Sequence, residues 1–167
     1  STQRELIVKS KNLSVSDITY KPPTVNKRGG KSIKCVYNGN PLRIQFPFIF
    51  TWGVNEREDE NTGIFKYDLA LQFGDKLDEH FKVKLKEFQE KIVDDAVSNS
   101  KQWFGRKISK EVAVELMYPI LKYPKLKDGS GEPNYDKEPN FRVKLPYYDN
   151  KFSVEIYNTK GECLFNP

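Results

Sequence analysis

The spacing of apolar residues changes twice along this chain, and that change constrains the fold more than any other feature. Apolar and polar residues alternate over residues 65–73, which is the pattern of a half-buried strand. Over residues 81–96 the apolar residues recur at steps of three and four, as on one side of a helix, and alternation returns over residues 141–145. Strands, then helices, then strands predict an α+β fold that is mainly β.

Two turns predict hairpins. Asn38-Gly39 lies between alternating runs at residues 33–37 and 42–46, and this pair readily adopts the positive φ angles of a tight hairpin turn. Asp149-Asn150 lies in the same way between the run at 141–145 and a further run at 152–156. Residues 48–54 are interpreted as a short aromatic strand or loop, and the acidic residues 56–60 as an exposed loop.

The helical pattern predicts one amphipathic helix over about residues 77–102. Ser109 is a suitable N-cap for a second helix that continues to about Leu121, with Val112 and Leu116 facing inward. The expected architecture is a single antiparallel sheet of five or six strands, closed into a small barrel like the OB-fold, with these two helices inserted.

The chain has 167 residues, a length that fits one domain. Residues 1–32 are expected to form an approach segment, because Pro22-Pro23 interrupts regular structure and residues 27–31 form a basic, glycine-containing turn. The binding domain is expected over residues 33–160, with its helical insertion at about 77–121, and residues 161–167 are expected to form a tail.

Charge is spread unevenly over the chain, whose formal net charge is +5. Residues 1–50 carry +7, residues 51–100 carry −5, and the remainder carries +3. A basic region with a separate acidic segment favours an anionic partner that meets one face. Ordinary solubility charge is the alternative interpretation of the same excess.

Alternation also predicts which side chains leave the core, because successive side chains of a strand point to opposite sides. A groove of cations with aromatic platforms is typical of proteins that bind single strands, since cations bind phosphates and aromatic rings stack on bases. That the aromatic side chains pack in the core is the alternative. The residues expected to bind nucleic acid are five cations and three aromatic residues near them: Lys34, Arg43, Lys66, Arg142 and Lys144, with Tyr37, Trp52 and Tyr148.

Four stretches resemble the single-stranded-DNA-binding proteins of nucleocytoplasmic large DNA viruses: residues 37–47 continuing to 52–54, 69–73, 99–104 and 140–146. These viral proteins are similar to the OB-fold single-strand-binding replication protein of certain tailed phages. The resemblance covers about residues 30–160. It implies an OB-fold, a role in viral DNA replication, recombination or repair, and no cofactor. It also implies single-stranded DNA as partner and the viral replication site in host cytoplasm or nucleus as location. Replication proteins and a second copy of the chain as partners, and a place in the virion, stay open. The phage-type relative ends in an acidic tail with a terminal aromatic residue, whereas this chain ends Gly161-Glu162-Cys163-Leu164-Phe165-Asn166-Pro167.

Catalysis is not expected. His80 is the single histidine, and no second histidine or paired cysteine supplies a zinc site. Cys35 and Cys163 are expected to form neither a disulfide nor a metal site, and no membrane-spanning segment is expected. The expected function is single-stranded DNA binding with little sequence preference. The alternatives are a virion structural or scaffold protein and a regulatory protein that binds another protein.

Overall fold

The computed structural model describes residues 6–74 and 79–164, which form two compact units. Each unit is built from two separate stretches of chain. The first contains residues 6–48 and 79–120, and the second contains residues 49–74 and 121–164.

The strands of the first unit are short because turns and prolines interrupt them. They are β1 (Val8–Lys9), β2 (Thr19–Tyr20), β3 (Thr24–Val25), β4 (Lys31–Ser32), β5 (Cys35–Tyr37), β6 (Asn40–Pro41) and β7 (Ile44–Gln45). β2, β5 and β6 form a three-stranded antiparallel sheet, β3 pairs with β4, and β1 pairs with β7 in parallel. The predicted turn between β5 and β6 is confirmed, since Asn38 and Gly39 both have positive φ, at 49° and 78°.

Three α-helices are described in the first unit: α1 (Glu79–Ser98), α2 (Ser100–Phe104) and α3 (Lys110–Leu116). The amphipathic helix predicted over 77–102 is therefore confirmed over its described part, with an interruption at Asn99. Phe81, Leu85, Val93 and Ala96 are buried on one side of α1. Residues 77 and 78 of that prediction lie outside the described residues.

The predicted cap of the second helix is confirmed, because the Ser109 Oγ accepts a hydrogen bond from the Val112 backbone N–H at 3.3 Å. The helix ends at Leu116 instead of continuing to Leu121. The prediction that Leu116 faces inward is wrong, since this side chain is exposed, whereas Val112 packs against the buried Val93, Ile108 and Ala113.

The first 32 residues contribute to the core where an approach segment was expected. Leu13, Val15 and Ile18 are buried together in short 3-10 turns and their flanks, and Cys35, Tyr37 and Phe88 pack against them. The Nζ of Lys84 donates to the backbone carbonyls of Lys11 and Leu13, at 3.0 and 2.7 Å. These contacts tie the beginning of the chain to α1, so a boundary at residue 32 does not coincide with the units.

The second unit contains the longest strands: β8 (Phe50–Glu58), β9 (Phe65–Gln72), β10 (Leu121–Lys122) and β11 (Asn140–Leu145). They form an antiparallel sheet in the order β10-β11-β9-β8. Leu71, Leu121 and Leu145 are buried on one side of it. The acidic run predicted as a loop is instead partly strand, since Glu56 and Glu58 pair with β9.

A small hairpin follows, formed by β12 (Tyr147–Tyr148) and β13 (Lys151–Phe152). Its predicted turn is confirmed, with φ of 52° and 61° at Asp149 and Asn150. The predicted return strand over 152–156 is wrong beyond Phe152. β11 pairs with β9 and β10 instead.

The α+β class with mainly β structure is confirmed, but the single sheet is not. The described residues form five separate sheets, one of them parallel, and none of these sheets closes on itself. In the four smaller sheets, prolines and turn residues lie beside the short strands, and each ladder stops after two pairs.

Candidate nucleic-acid interface

The register of the four-stranded sheet determines which side chains share a side, because directly paired residues point the same way. Lys122, Asn140, Gln72 and Phe50 form one row across β10, β11, β9 and β8. The other rows pair Arg142 with Ala70, Lys144 with Asp68 and Asn55, and Lys66 with Arg57. We call this side, which is defined by these eleven residues, the polar face.

Positive charge dominates the polar face. All five of its cations are exposed, and Asp68 is its single acid: the cations are Arg57, Lys66, Lys122, Arg142 and Lys144. Glu56 and Glu58 of β8 pair with Tyr67 and Phe65 and therefore point to the opposite side. The sheet thus separates its charges by sign.

Asp68 differs from the cations around it because it is buried, at 3% exposure. Asn55 Nδ2 donates a hydrogen bond to Asp68 Oδ1 at 3.1 Å, and Arg142 Nε lies 3.6 Å from the same oxygen. The acid therefore orients the Arg142 guanidinium while adding little negative charge to the surface. Sequence alternation places Asp68 on this side correctly but gives no indication of its burial.

Lys66 is paired with an acid of the hairpin turn. Its Nζ lies 2.6 Å from Asp59 Oδ2. The hydrogen bond from Lys66, together with the backbone N–H of Asn61, holds the pKa of Asp59 below its ordinary value. Among the described residues, no hydrogen bond or ion pair reaches the ammonium groups of Lys122 and Lys144, which leaves both for an external anion.

Two aromatic rings border the same side of the sheet. Phe50 belongs to the polar face and is 55% exposed, and Trp52 is 84% exposed. Their rings meet edge to face at 4.8 Å, so Trp52 lies on the same side as Phe50. A β-bulge sets this position, because the register shifts between Thr51 and Val54 and Gly53 has φ of 110°.

A cavity of about 320 Å³ opens at one end of the second unit. We call it the aromatic cavity. Three cations of the polar face, the buried Asp68 and four aromatic residues line it. The cations are Arg57, Lys66 and Lys144, and the aromatic residues are Phe65, Tyr67, Tyr147 and Tyr148. A hydrogen bond to Glu56 and burial raise the pKa of Tyr67 to about 12. Tyr67, Tyr147 and Phe152 pack edge to face or tilted, with centroids 4.8 to 4.9 Å apart.

The eight residues expected from sequence are divided between the two units. Trp52, Lys66, Arg142, Lys144 and Tyr148 belong to the second unit, four of them on the polar face or beside it and Tyr148 at the aromatic cavity. The remaining three belong to the first unit: Lys34, Tyr37 and Arg43.

The three residues of the first unit differ in exposure. Lys34 and Arg43 are exposed in short connections between strands. Tyr37 packs against the buried Leu13 cluster, and its hydroxyl accepts a hydrogen bond from the Ser14 backbone N–H at 3.2 Å. Its ring therefore packs in the core of the first unit, and Tyr37 is not part of the polar face.

Sequence reasoning missed two cations of the polar face. Arg57 lies within the acidic run that the sequence predicts as a loop, and Lys122 lies just beyond the predicted end of the second helix at about Leu121. The alternation of Phe65–Gln72 favours a hairpin with the chain just before it, and the structure shows that this partner is Phe50–Glu58, which includes Arg57.

Other kinds of site are not formed by the described residues. No group of three or more His, Cys, Asp or Glu side chains in the described ranges is arranged to hold a metal ion. Within residues 6–74 and 79–164, no helix combines the length and apolar character needed to cross a membrane. Comparisons with family models, with curated proteins and with solved structures found no match to this chain.

Proposed function

We propose that the polar face, together with Trp52, binds single-stranded DNA with little dependence on sequence. The observation that carries the proposal is the grouping of five exposed cations with two exposed aromatic rings on one side of one sheet. Phosphates bind to cations, and an aromatic ring gains about 1–3 kcal/mol from each base that stacks on it.

Charge placement within the sheet supports an anionic ligand. Arg57 and Lys66 are direct cross-strand partners, and like charges in that position destabilise a sheet. Asp59 forms an ion pair with Lys66, whereas no described acid forms an ion pair with Lys122 or with Lys144, although Lys144 lies opposite the buried Asp68. A bound phosphate backbone would reduce the repulsion among the cations of the polar face. The affinity of the protein for DNA would then fall with salt, because counterions compete for the phosphates.

A single strand suits this surface better than a duplex. Phe50 and Trp52 present ring surfaces, and only unstacked bases have free faces to meet them. Bases of a duplex are stacked on both sides and would leave these rings without partners.

The choice of DNA, and the setting in viral replication, recombination or repair, rest on the resemblance described for the sequence. The proposal does not depend on a closed OB-fold barrel, because the open four-stranded sheet already carries the cations and rings. The same resemblance suggests a location at the viral replication site, and replication proteins stay an open alternative as further partners. An enzymatic activity is not part of the proposal.

The test is fluorescence anisotropy with a labelled oligothymidine of about 16 nucleotides, a duplex of equal length and an oligouridine. We expect the oligothymidine to bind more tightly than the duplex, with affinity falling steadily between about 50 and 200 mM salt. Absence of single-strand binding at low salt would contradict the proposal and direct attention to a structural role in the virion. Tighter binding of oligouridine would retain the surface and change the ligand to RNA.

A further inference from the structure

The aromatic cavity combines features that a flat, hydrogen-bonding ring requires. Its volume of about 320 Å³ lies near the lower end of the range for small-molecule sites, which suits a single nucleotide better than a larger ligand. Tyr148 lines it and is 71% exposed, so its ring is available to a ligand. Lys144 also lines it, and no described residue forms an ion pair with its ammonium group, so Lys144 can bind a phosphate next to the base.

Asp68 adds a hydrogen-bond acceptor to this cavity. Its Oδ1 is engaged by Asn55 and Arg142, at 3.1 and 3.6 Å. Its Oδ2 receives no hydrogen bond from any described residue. Because the Arg142 guanidinium offsets the negative charge of Asp68, this carboxylate is compatible with a surface that binds phosphate. A free carboxylate oxygen accepts from an amino group and repels a carbonyl oxygen.

We propose that the aromatic cavity receives one base of the bound strand and that Asp68 favours a base with an exocyclic amino group over uracil or thymine. This inference rests on the proposed function, since it places one nucleotide of the same strand. Tyr148 stacks on the base, and Asp68 Oδ2 accepts a hydrogen bond from its amino group. Cytosine and adenine present such a group at the base edge, where thymine and uracil present a carbonyl.

The test compares oligodeoxycytidine with oligodeoxyuridine of equal length by fluorescence anisotropy at neutral pH, because the two bases differ chiefly in the amino or carbonyl group at C4. We expect the wild-type protein to bind oligodeoxycytidine about fivefold more tightly, the lower end of what one base contact provides. Equal affinities would overturn the inference while leaving the proposed function intact. If neither oligonucleotide binds, and oligothymidine does not bind either, the proposed function itself fails.

Two variants locate the preference. Asp68→Asn should abolish or invert the preference for oligodeoxycytidine, because an amide can donate to the uracil carbonyl. A preference that survives in the folded variant would overturn the role of Asp68.

Tyr148→Ala should weaken binding of oligodeoxycytidine and reduce the preference, and an unchanged preference would overturn the inference. Tyr135→Ala is the matched control, since Tyr135 is 73% exposed in the same unit and does not line the cavity. Should Asp68→Asn fail to fold, the wild-type ratio and the two tyrosine variants decide the matter.

Discussion

The ring centroids of Phe50 and Trp52 are 4.8 Å apart and the rings are at 90° to each other, although Trp52 is 84% exposed. The contact uses the edge of one ring and leaves ring surface open to a ligand. An aromatic pair of this kind is held in place before any ligand arrives, which reduces the entropy lost when a base stacks.

Trp52→Ala is expected to weaken binding of oligothymidine by about 1–3 kcal/mol, the value of one stacked base. The affinities of Trp52→Ala and the wild type should be compared by fluorescence anisotropy of the labelled oligothymidine. A separate Trp103→Phe variant keeps an aromatic ring beside Tyr20 and leaves Trp52 as the intrinsic fluorescent reporter. In that background, quenching of Trp52 on binding is the direct signal.

Stability provides the control for this variant. Because Trp52 is exposed, its removal should change the free energy of unfolding by no more than about 0.5 kcal/mol. A large loss of stability with unchanged affinity would show that Trp52 supports the fold and not the ligand.

Reversing the charges of Lys122 and Lys144 to glutamate should weaken single-strand binding and reduce the dependence of log affinity on log salt by about 1.4, which corresponds to two lost phosphate contacts. Both side chains are exposed on the polar face. Lys127→Glu with Lys160→Glu is the matched control, since it changes the net charge equally at exposed loop positions of the same unit. Equal effects of the two pairs would mean that only net charge matters.

Tyr20 and Asp95 predict a pH-dependent contribution to stability. The Tyr20 hydroxyl donates to Asp95 Oδ2 at 2.6 Å, and Lys91 Nζ lies 2.8 Å from the same oxygen. Burial, and then this hydrogen bond, raise the pKa of Tyr20 above its ordinary value of 10.0. The folded protein therefore holds the Tyr20 proton where the unfolded chain releases it, so this contribution is complete below pH 10 and declines as the pH rises above it.

Tyr20→Phe should accordingly cost about 1–2 kcal/mol at pH 7, and the difference from the wild type should narrow toward about pH 11. Urea unfolding followed by far-UV circular dichroism measures both values. Tyr118→Phe, at an exposed position of the same unit, is the control and should show no comparable pH dependence. A constant difference for Tyr20→Phe would exclude the hydroxyl proton as its origin.

Ser109→Ala should destabilise the protein by about 0.5–2 kcal/mol, because the backbone N–H of Val112 loses its acceptor at the beginning of α3. Ser109→Asn retains a capping oxygen and should be close to wild type in chemical denaturation. If both variants lose stability equally, the hydroxyl acts through something other than the cap.

Local patterns predicted the faces of the sheet correctly. Lys66, Arg142 and Lys144 share a side because alternation depends only on the strand in which a residue lies. The caps and turns at Ser109, Asn38 and Asp149 were predictable for the same reason, since each depends on a few neighbouring residues.

Pairing could not be predicted from such patterns. β10 is two residues long and joins β11 across an intervening loop, so nothing in its own sequence identifies its partner. Glutamates are uncommon in strands, yet β8 continues through Glu58. The reason is that its pairing with β9 extends to the hairpin turn, where the Gly63 N–H donates a hydrogen bond to the Asp59 carbonyl. The burial of Asp68 likewise depends on Asn55 and Arg142, which come from two other strands.

The irregular pairing at Trp52 and Gly53 also decides the sign of the charge at one end of the sheet. Regular pairing continued from Phe50 would bring Glu56, instead of Arg57, opposite Lys66. Between Thr51 and Val54, β8 contains one residue more than the paired part of β9. From Val54 onward, each side chain of β8 therefore points to the side opposite to the one it would have in regular pairing. A single residue inserted between Val54 and Arg57 would reverse that change of side, turning the arginine away and bringing glutamates beside the lysines. For this surface, a change in strand length would therefore be more damaging than most substitutions of a single side chain.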